Sequence, residues 1–326
     1  MSVLIGVEDV LKTFSLEEQE SARQYFAYEK LREQYPDLGY KRLAKALGVK
    51  IARTRWWKQK KGKPCAIKIT VELTALGLLP FDSCDPRLDC VLRLLGTLYG
   101  DGGIDASLNN IFFSSGDLYD IELWKNDLLS VFPRAGENLE LFETGEFGHG
   151  NCLRCTTRTA IRFFVAIGAP RGDKILNHYS LPPWLSSSGR KQKIAFLDGF
   201  LACEVSVPTF RVECGTKRFK NFSFSLSKQL SMREEHRAFL KSLADLLESV
   251  GVKTTGLIRD DVHLDGVRKS GVKTRSFRVF ISTYLENILA FNELFDLRYA
   301  SKKKAGVVNQ LNRRNDILTA VSPATA

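Results

Sequence analysis

The chain has 326 residues, 44% of them hydrophobic, so two or three packed modules are expected and wholesale disorder is excluded. No apolar run approaches the roughly 18 residues of a membrane span, and the acidic N-terminal stretch lacks the composition of a signal peptide. The net charge of +11 favours a polyanionic partner, and an odd count of seven cysteines favours reduced thiols in a soluble, cytoplasmic protein.

The positive charge is concentrated near the N-terminus. Residues 23–63 carry 13 Lys and Arg against three acids, a balance of +10, so the rest of the chain is nearly neutral. Ser15 and Glu18 form a capping-box pattern that predicts a helix ending near Pro36, and two short helices are predicted on either side of Gly48. This outline of a helix-turn-helix favours DNA binding, with a solvated basic helical bundle as the alternative. The candidate DNA contacts are Lys41, Arg42, Arg53, Arg55 and Lys58.

After a connector at about residues 70–86, the chain shows one pattern twice. An apolar helix is followed by two strand-like segments, an amphipathic helix, two more strand-like segments and a closing helix. The pattern occupies residues 86–188 and again 189–326, and a repeat of about a hundred residues is a specific architectural signal. The sequence therefore predicts an α+β fold of two αββαββα repeats, preceded by a small all-α module in residues 1–85.

The two apolar helices that open the repeats share unusual features. Each contains a glycine, Gly96 or Gly199, and each has an acid at its carboxyl end, Asp101 or Glu204. A glycine inside a helix costs about 1 kcal/mol relative to alanine, so close packing of the two helix backbones is the expected compensation. An acid at the negative end of a helix dipole is also unfavourable. A bound cation would remove that conflict.

These segments, LLGTLYGDG at 94–102 and LDGFLACEV at 197–205, resemble the motifs of the LAGLIDADG homing endonuclease family, and the resemblance extends over residues 88–305. It implies a monomer in which two pseudo-symmetric halves form a DNA-binding saddle, with the motif helices side by side at its centre. It also implies that the last acid of each motif binds divalent metal, Mg²⁺ or Mn²⁺, over the minor groove. The implied metal-site residues are Asp101, Glu204, Gly100 and Cys203.

Other segments agree with this resemblance. GAPRGDK, starting at Gly168, resembles the connection between the halves, and RYASKKK, starting at Arg298, resembles the basic end of the second half. The family often has a lysine or glutamine near the end of the second strand of each half. The first half has Ser114 and Ser115 there, so the resemblance implies Lys228 of the second half as a basic group of the active site.

Paired carboxylates that hold a divalent metal suit phosphodiester hydrolysis, because the metal activates the attacking water and stabilises the leaving 3′-oxygen. The resemblance therefore implies a site-specific endonuclease that cleaves double-stranded DNA at a long, asymmetric target, as in intron homing. The alternatives are a catalytically inactive DNA-binding transcription regulator and an intron RNA maturase. An intein is not expected, because the chain starts with Met1 and lacks a terminal Asn splice junction.

Strands of the second half supply further candidates for DNA contact. Polar and apolar residues alternate over 209–214 and basic residues follow, so a charged sheet face is expected in the major groove while the apolar face packs under helices. Arg275 is expected on the same face as the arginines of the neighbouring positions, and a solvated sheet surface is the alternative for any single residue. The candidates are Arg211, Lys217, Arg218, Lys220, Arg259 and Arg278.

One apparent metal cluster is discounted. His149, Cys152 and Cys155 have the residue types of a zinc site. A lone C-x-x-C is a weak signal, and in a strand its two cysteines point to opposite faces. The sequence therefore predicts no zinc site.

Overall fold

The computed structural model describes residues 2–144 and 150–319. Up to residue 85 the chain forms helices joined by short turns and one pair of very short strands. These elements are β1 (Val3–Ile5), α1 (Val7–Leu11), α2 (Leu16–Gln34), α3 (Tyr40–Leu47), α4 (Ile51–Gln59), α5 (Cys65–Ala75) and β2 (Phe81–Asp82).

The remaining chain contains the two predicted repeats. The first repeat consists of α6 (Leu88–Tyr99), β3 (Gly103–Ile104), β4 (Ile111–Ser115), α7 (Leu118–Val131), β5 (Leu139–Thr144), β6 (Gly150–Cys155) and α8 (Arg158–Ile167). After α9 (Pro183–Ser187), the second repeat consists of α10 (Arg190–Glu204), β7 (Thr209–Glu213), β8 (Thr216–Lys220), β9 (Ser223–Gln229), α11 (Arg233–Ser249), β10 (Thr254–Val267), β11 (Lys273–Ile281) and α12 (Leu285–Leu294). Helix α13 (Ser301–Thr319) follows.

The sheets of the two repeats are antiparallel and share one strand order. That order is β3-β4-β6-β5 in the first repeat and β9-β11-β10 in the second, so β4, β6 and β5 correspond to β9, β11 and β10. An isolated bridge between Val205 and Phe224 stands where β3 pairs with β4. Strands β7 and β8 form a separate hairpin that is added to the second repeat. The predicted α+β fold class is confirmed.

The chain folds into two compact units. Unit 1 contains Met1–Asp85 together with α8, and unit 2 contains Pro86–Thr157 and Gly168–Ala326. Within unit 1, the Phe163 ring of α8 packs edge-on against Phe81 with centroids 5.2 Å apart, and Thr159 Oγ1 donates to Glu72 Oε2 at 2.6 Å. Helix α8 therefore belongs to the core of unit 1, although in sequence it closes the first repeat.

Helices α3 and α4 form the predicted helix-turn-helix in unit 1. Gly48 ends α3 with a φ of 65°, a left-handed conformation that glycine adopts without steric penalty. The buried Thr54 Oγ1 of α4 donates to the Tyr40 carbonyl at 2.9 Å and so ties the two helices together. Trp57 packs edge-on against Tyr25 of α2 with ring centroids 5.4 Å apart. This turn is therefore held by a buried polar contact and by aromatic packing.

In unit 2, each sheet packs one face under the long middle helix of its repeat. Trp124 of α7 stacks on Phe113 of β4 with ring centroids 5.6 Å apart, and its Nε1 donates to Thr97 Oγ1 of α6 at 3.0 Å. In the second repeat, Phe277 of β11 packs edge-on against His236 of α11 at 5.0 Å. Across the described residues, no helix is both long and apolar enough to cross a membrane.

Candidate active site and DNA-binding surface

Helices α6 and α10 approach each other so closely that their backbones touch at two glycines. A Cβ atom added to Gly96 would overlap the carbonyl oxygen of Phe196, and one added to Gly199 would overlap the carbonyl oxygen of Arg93. Only a residue without a Cβ permits this approach, which explains glycines inside two apolar helices. The predicted packing of the motif helices through their glycines is confirmed.

The two acids lie at the carboxyl ends of these helices, where the close contact continues. A Cβ on Gly100 would overlap the Cys203 side chain and would lie 3.4 Å from Glu204 Oε1. Burial raises the pKa of Glu204 to about 8, and the negative charge of Asp101 adds to the rise. Loss of hydration also raises the pKa of Asp101, although this residue keeps an exposed surface. The structure thus brings Asp101 and Glu204 together.

A lysine that the sequence analysis did not select caps the end of α6. Lys174 Nζ donates to the carbonyl oxygens of Leu98 (3.2 Å), Gly102 (2.7 Å) and Gly100. A cation here satisfies carbonyl groups that have no partner within the helix and interacts favourably with the helix dipole. Burial lowers the pKa of Lys174, and the nearby charge of Glu204 opposes that shift.

A second lysine caps α10 in the same way. Lys303 Nζ donates to the Ala202 carbonyl at 2.9 Å and to the Cys203 carbonyl. The charges of both capping lysines act to lower the pKa values of Asp101 and Glu204. Lys174 lies in GAPRGDK and Lys303 in RYASKKK, the two segments that agree with the family resemblance, and this was the only sign of them in the sequence. The fold shows that their ammonium groups reach the helix ends.

Lys228, the expected basic group of the active site, is only 2% exposed. Its Nζ donates to the Lys174 carbonyl at 2.6 Å and to the Asn177 carbonyl, and it lies 4.1 Å from the centre of the Tyr179 ring. Burial lowers the pKa of Lys228 to about 8. Lys228 therefore holds the segment that carries Lys174, and its catalytic role stays a prediction.

A cavity of about 270 Å³ opens beside Asp101. Its lining includes Ser114 and Ser115 of β4 and Lys303 of α13. Since one water molecule occupies about 30 Å³ in the liquid, this volume accommodates several waters or a phosphate group. Lys302 also lines the cavity and pairs with Asp117 at 3.0 Å, so Lys303 and Lys302 are the basic groups that accompany the two serines of the first repeat.

Asp101 and Glu204 fit a divalent cation by their chemistry. Both offer carboxylate oxygens, and a cation would offset the burial and the repulsion by Asp101 that together raise the pKa of Glu204. The carbonyl groups of Gly100 and Cys203 accept hydrogen bonds from the two capping lysines. No group of three or more His, Cys, Asp or Glu residues in the described ranges could hold a metal, so water or phosphate oxygens would complete the coordination. His149 lies outside the described residues.

The second sheet presents two arginines on one face. Arg259 of β10 lies directly opposite Arg278 of β11, which in turn lies opposite Ser225 of β9. Residues directly opposite in a sheet share a face, so these two candidates lie together. Arg275 is three residues from Arg278 on the same strand and points to the other face, where its guanidinium lies 3.8 Å from Asp260. The expectation that Arg275 shares the face was wrong.

The hairpin β7–β8 carries the other basic candidates of the second repeat. Arg211 lies directly opposite Arg218, and both residues and Lys217 are exposed. Glu213 is the acid among them and forms ion pairs with Lys220 and, at 3.9 Å, with Arg218. Like charges that face each other across a hairpin are destabilising, so a polyanion would stabilise this element.

The candidates in unit 1 divide into two groups. Arg53 donates to the Gln24 side chain, and Lys58 Nζ donates to the Leu38 carbonyl at 2.7 Å, so both have partners within the unit. The others are exposed on α3 and α4, namely Lys41, Arg42 and Arg55, of which Arg55 donates to the Gln59 side chain at 2.9 Å. These three cations are the ones most available to phosphates.

No protein-family model matches this chain. Among curated proteins, it is 27% identical over 254 residues to DNA-directed RNA polymerase subunit Rpo1N of Methanocaldococcus jannaschii, and 27% identical over 238 residues to the tRNA-splicing ligase RtcB of Pyrococcus furiosus. The matches cover 73% and 70% of this chain but only 18% and 23% of those proteins. The chain thus spans about a fifth of the length of these relatives, and a similar stretch occurs in two differently named proteins.

Solved structures with a similar fold include a mesophilic variant of the homing endonuclease I-DmoI (TM-score 0.41, 16% identity, 64% of this chain and 90% of that chain). I-DmoI in complex with DNA and Mn has a TM-score of 0.40 and 15% identity, covering 64% of this chain and 97% of that one. Full-length DUF199/WhiA from Thermatoga maritima has a TM-score of 0.38 and 13% identity, covering 73% and 68%. Values this low transfer no function. The two repeats and the glycine contact of their motif helices agree with the resemblance to the LAGLIDADG family that the sequence motifs carry.

Proposed function

We propose that this chain is a divalent-metal-dependent endonuclease that hydrolyses double-stranded DNA at a long, asymmetric site and acts as a monomer. The observation that carries the proposal is the meeting of Asp101 and Glu204 at the touching ends of α6 and α10. Two acids in one crowded position are costly, and strongly perturbed groups beside a cavity point to a functional site. The capping lysines Lys174 and Lys303 make the same place attractive to a phosphate.

Each group in this site has a distinct task. Asp101 and Glu204 would hold Mg²⁺ or Mn²⁺, and the metal, when bound, supplies an activated water and stabilises charge on the leaving 3′-oxygen. Lys174 and Lys303 are fixed at the helix ends and offer positive charge to the scissile phosphates, which is the preorganised electrostatic stabilisation that catalysis needs. Ser114 and Ser115 of β4 line the cavity that would hold the phosphate and its waters.

The basic surfaces of each unit would bind the DNA backbone. Phosphate contacts from Lys and Arg supply most of the affinity of such proteins and position the duplex. The residues proposed to contact the duplex are Lys41, Arg42, Arg53, Arg55, Lys58, Arg211, Lys217, Arg218, Lys220, Arg259 and Arg278. The sequence shared with two differently named proteins also agrees with a self-contained unit rather than a part of either enzyme.

The test is cleavage of a pool of long random duplexes with Mg²⁺, followed by sequencing of the new ends. Asp101→Asn and Glu204→Gln should each lower the cutting rate by at least about 100-fold, since metal ligands act in the transition state. Duplex affinity should stay within a few-fold of wild type. Glu234→Gln, an exposed acid of α11, is the matched control. Undiminished cutting by either active-site variant would contradict the assignment.

A DNA-binding regulator without catalysis is the second candidate. The helix-turn-helix of α3 and α4, with exposed Lys41, Arg42 and Arg55, is the observation that favours it, because this motif binds DNA without a metal. The same assay separates the two candidates. A protein that binds duplexes but produces no new ends with Mg²⁺ or Mn²⁺ is the regulator, and its binding should not respond to Glu204→Gln.

A further inference from the structure

Lys174 lies in an irregular segment of unit 2, whereas Lys303 lies in the first turn of α13, directly after a second irregular segment. We call residues 168–182 the first link and residues 295–300 the second link, and each follows the last helix of its own repeat. Neither link has helix or strand structure, so no regular hydrogen-bonding ladder holds it. The position of Lys174 therefore depends on the side chains that bind the first link, and the placement of the first turn of α13, which carries Lys303, depends on those that bind the second link.

The first link is tied to the second repeat. Lys228, near the end of β9, donates through Nζ to the carbonyl of Lys174 at 2.6 Å and to that of Asn177. The backbone N–H of Gln229 donates to the Ile175 carbonyl at 3.1 Å, and its side-chain amide donates to the Leu176 carbonyl at 3.2 Å. A buried ammonium is tolerated only where acceptors replace its lost hydration, so Lys228 and these carbonyls hold each other in place.

The second link is tied to the first repeat. Arg298 donates through Nε and Nη2 to both oxygens of Asp127 at 2.7 and 2.8 Å, and the Tyr299 hydroxyl donates to the same carboxylate at 2.6 Å. The Ser301 amide donates to Asp120 Oδ1 at 3.1 Å. Asp120 and Asp127 are both buried on α7. A bidentate, charge-assisted pair fixes direction as well as distance, so α7 aims the start of α13.

Each link also has ties to its own repeat. The amide of Gly172 donates to the Ile104 carbonyl at 2.7 Å, and the amide of Leu297 donates to Asp198 of α10 at 2.7 Å. The carbonyl of Lys174 itself, however, and the residues directly before Lys303, are held by the opposite repeat. The contacts from the opposite repeat therefore act at the points that decide where each ammonium group lies.

We infer that each repeat positions the active-site lysine of the other repeat. Lys228 is a positioning residue for Lys174, and Asp127, acting through Arg298, is a positioning residue for Lys303. This inference rests on the proposed endonuclease function. A displacement of about 1 Å at a reacting centre can lower a rate by about 100-fold, so a loosened link should cost activity without any change in the residues that touch DNA.

Reciprocal positioning makes the two strand cuts separable. The two motif helices are related by pseudo-symmetry, so each capping lysine serves the phosphate of one strand. Loosening the first link should slow the cut on one strand, and loosening the second link should slow the cut on the other. A protein whose fold was merely weakened would slow both cuts together.

The first measurement is hydrogen–deuterium exchange on the full chain. Lys228→Met, a change in the second repeat, should raise exchange in the first link around Ile175 and Asn177. Asp127→Asn, a change in the first repeat, should raise exchange in the second link around Arg298. The controls are Lys241→Met and Asp245→Asn, the two partners of an exposed ion pair on α11. Exchange that rises only in the repeat carrying the substitution would overturn the inference.

The second measurement uses a duplex recovered from the random pool, labelled separately on each strand. Lys228→Met and Asp127→Asn should each accumulate nicked duplex, with opposite strands left intact and the slower cut reduced by about 10- to 100-fold. Equal slowing of both strands would overturn the inference and leave the endonuclease standing. A wild-type protein that cuts no duplex would remove the endonuclease, and the positioning role with it, whatever the exchange shows.

Milder variants keep the test decisive if either substitution prevents folding. Arg268→Gln removes an ion pair to Asp173 of the first link, and Asp120→Asn weakens the hold on the start of α13. Both variants remove a single tie and leave Lys228 and Asp127 in place. They should produce the same crossed pattern of exchange and the same opposite-strand nicking to a smaller extent, and uniform slowing by both would count against the inference.

Discussion

The two sheets of unit 2 share a strand order but carry different charges on corresponding strands. In the first sheet, Arg154 lies opposite Glu140, 3.8 Å from its carboxylate, and its guanidinium lies 4.8 Å from the Phe142 ring centre. In the second sheet, the corresponding strands place Arg259 opposite Arg278. The first pair joins opposite charges, whereas the second places two like charges opposite each other, an arrangement that an anionic partner such as a DNA backbone would stabilise.

This difference shows which features of a repeated fold stay constant. Packing constrains the shared elements, because the glycines of both motif helices leave no room for any larger residue. The outer sheet faces are free to diverge, and the second repeat adds the basic hairpin β7–β8 to its two arginines. The proposed DNA contacts of unit 2 therefore concentrate on the second repeat, as an asymmetric target would require.

The largest effect should come from the feature that both repeats share. Gly199→Ala would bring a Cβ into overlap with the backbone of α6. We therefore expect it to lower the free energy of unfolding by more than the roughly 1–3 kcal/mol that is typical of an overpacked core. Gly96→Ala should behave alike. Gly39→Ala is the control, because a Cβ there would meet nothing within 4 Å. Thermal melts compare the three variants, and an unchanged melt for Gly199→Ala would show that the motif helices do not pack as described.

The second-largest expected effect is on DNA binding, and it should differ between the two repeats. Arg259→Gln combined with Arg278→Gln should weaken duplex binding and lower its log–log salt slope by about 1.8, since each lost phosphate contact removes about 0.9. Arg154→Gln on the first sheet should leave the slope nearly unchanged, because that guanidinium is already paired with Glu140. Binding titrations at several salt concentrations measure both slopes. If both sets of variants had the same salt slope, the proposed concentration of DNA contacts on the second sheet would be wrong.

The sequence predicted the features that depend on local pattern. The Ser15 capping box forms with Glu18 as expected, and the glycines within apolar helices correctly indicated the helix contact. These predictions succeeded because a helix places residues at fixed spacing. The capping roles of Lys174 and Lys303 could not be predicted, because Lys174 lies in an irregular link and Lys303 lies in a helix that starts directly after one, and the paths of both links depend on tertiary contacts.

Helix α8 shows a second limit of sequence pattern. Its apolar spacing correctly predicted a helix that closes the first repeat in order, but periodicity does not say which core the apolar face joins. In the structure, Phe163 and Thr159 pack within unit 1. Deleting residues 1–85 would therefore uncover part of α8, and substitution of exposed cations is the sounder way to test the DNA contacts of unit 1.

The smallest effect concerns the stability of the metal-free protein, which should depend on the ionisation of Glu204 in the second repeat. Burial and the charge of Asp101 raise the pKa of Glu204 to about 8, above its ordinary value of 4.5, so folding favours the protonated form. The stability from this group is complete below pH 4.5 and is lost as the pH rises through about 8. The ionised carboxylate therefore destabilises the metal-free protein in alkaline solution.

Glu204→Gln removes that ionisation and should make the metal-free protein more stable than wild type at pH 9, with little difference at pH 4. Glu204 keeps partial solvent exposure, so we expect about 1 kcal/mol, or a melting temperature higher by about 2–4 °C. Added Mg²⁺ should raise the melting temperature of wild type and leave that of the variant nearly unchanged, because only the carboxylate gains from a cation. A variant less stable than wild type at pH 9 would mean that Glu204 is a structural acid rather than half of a metal-binding pair.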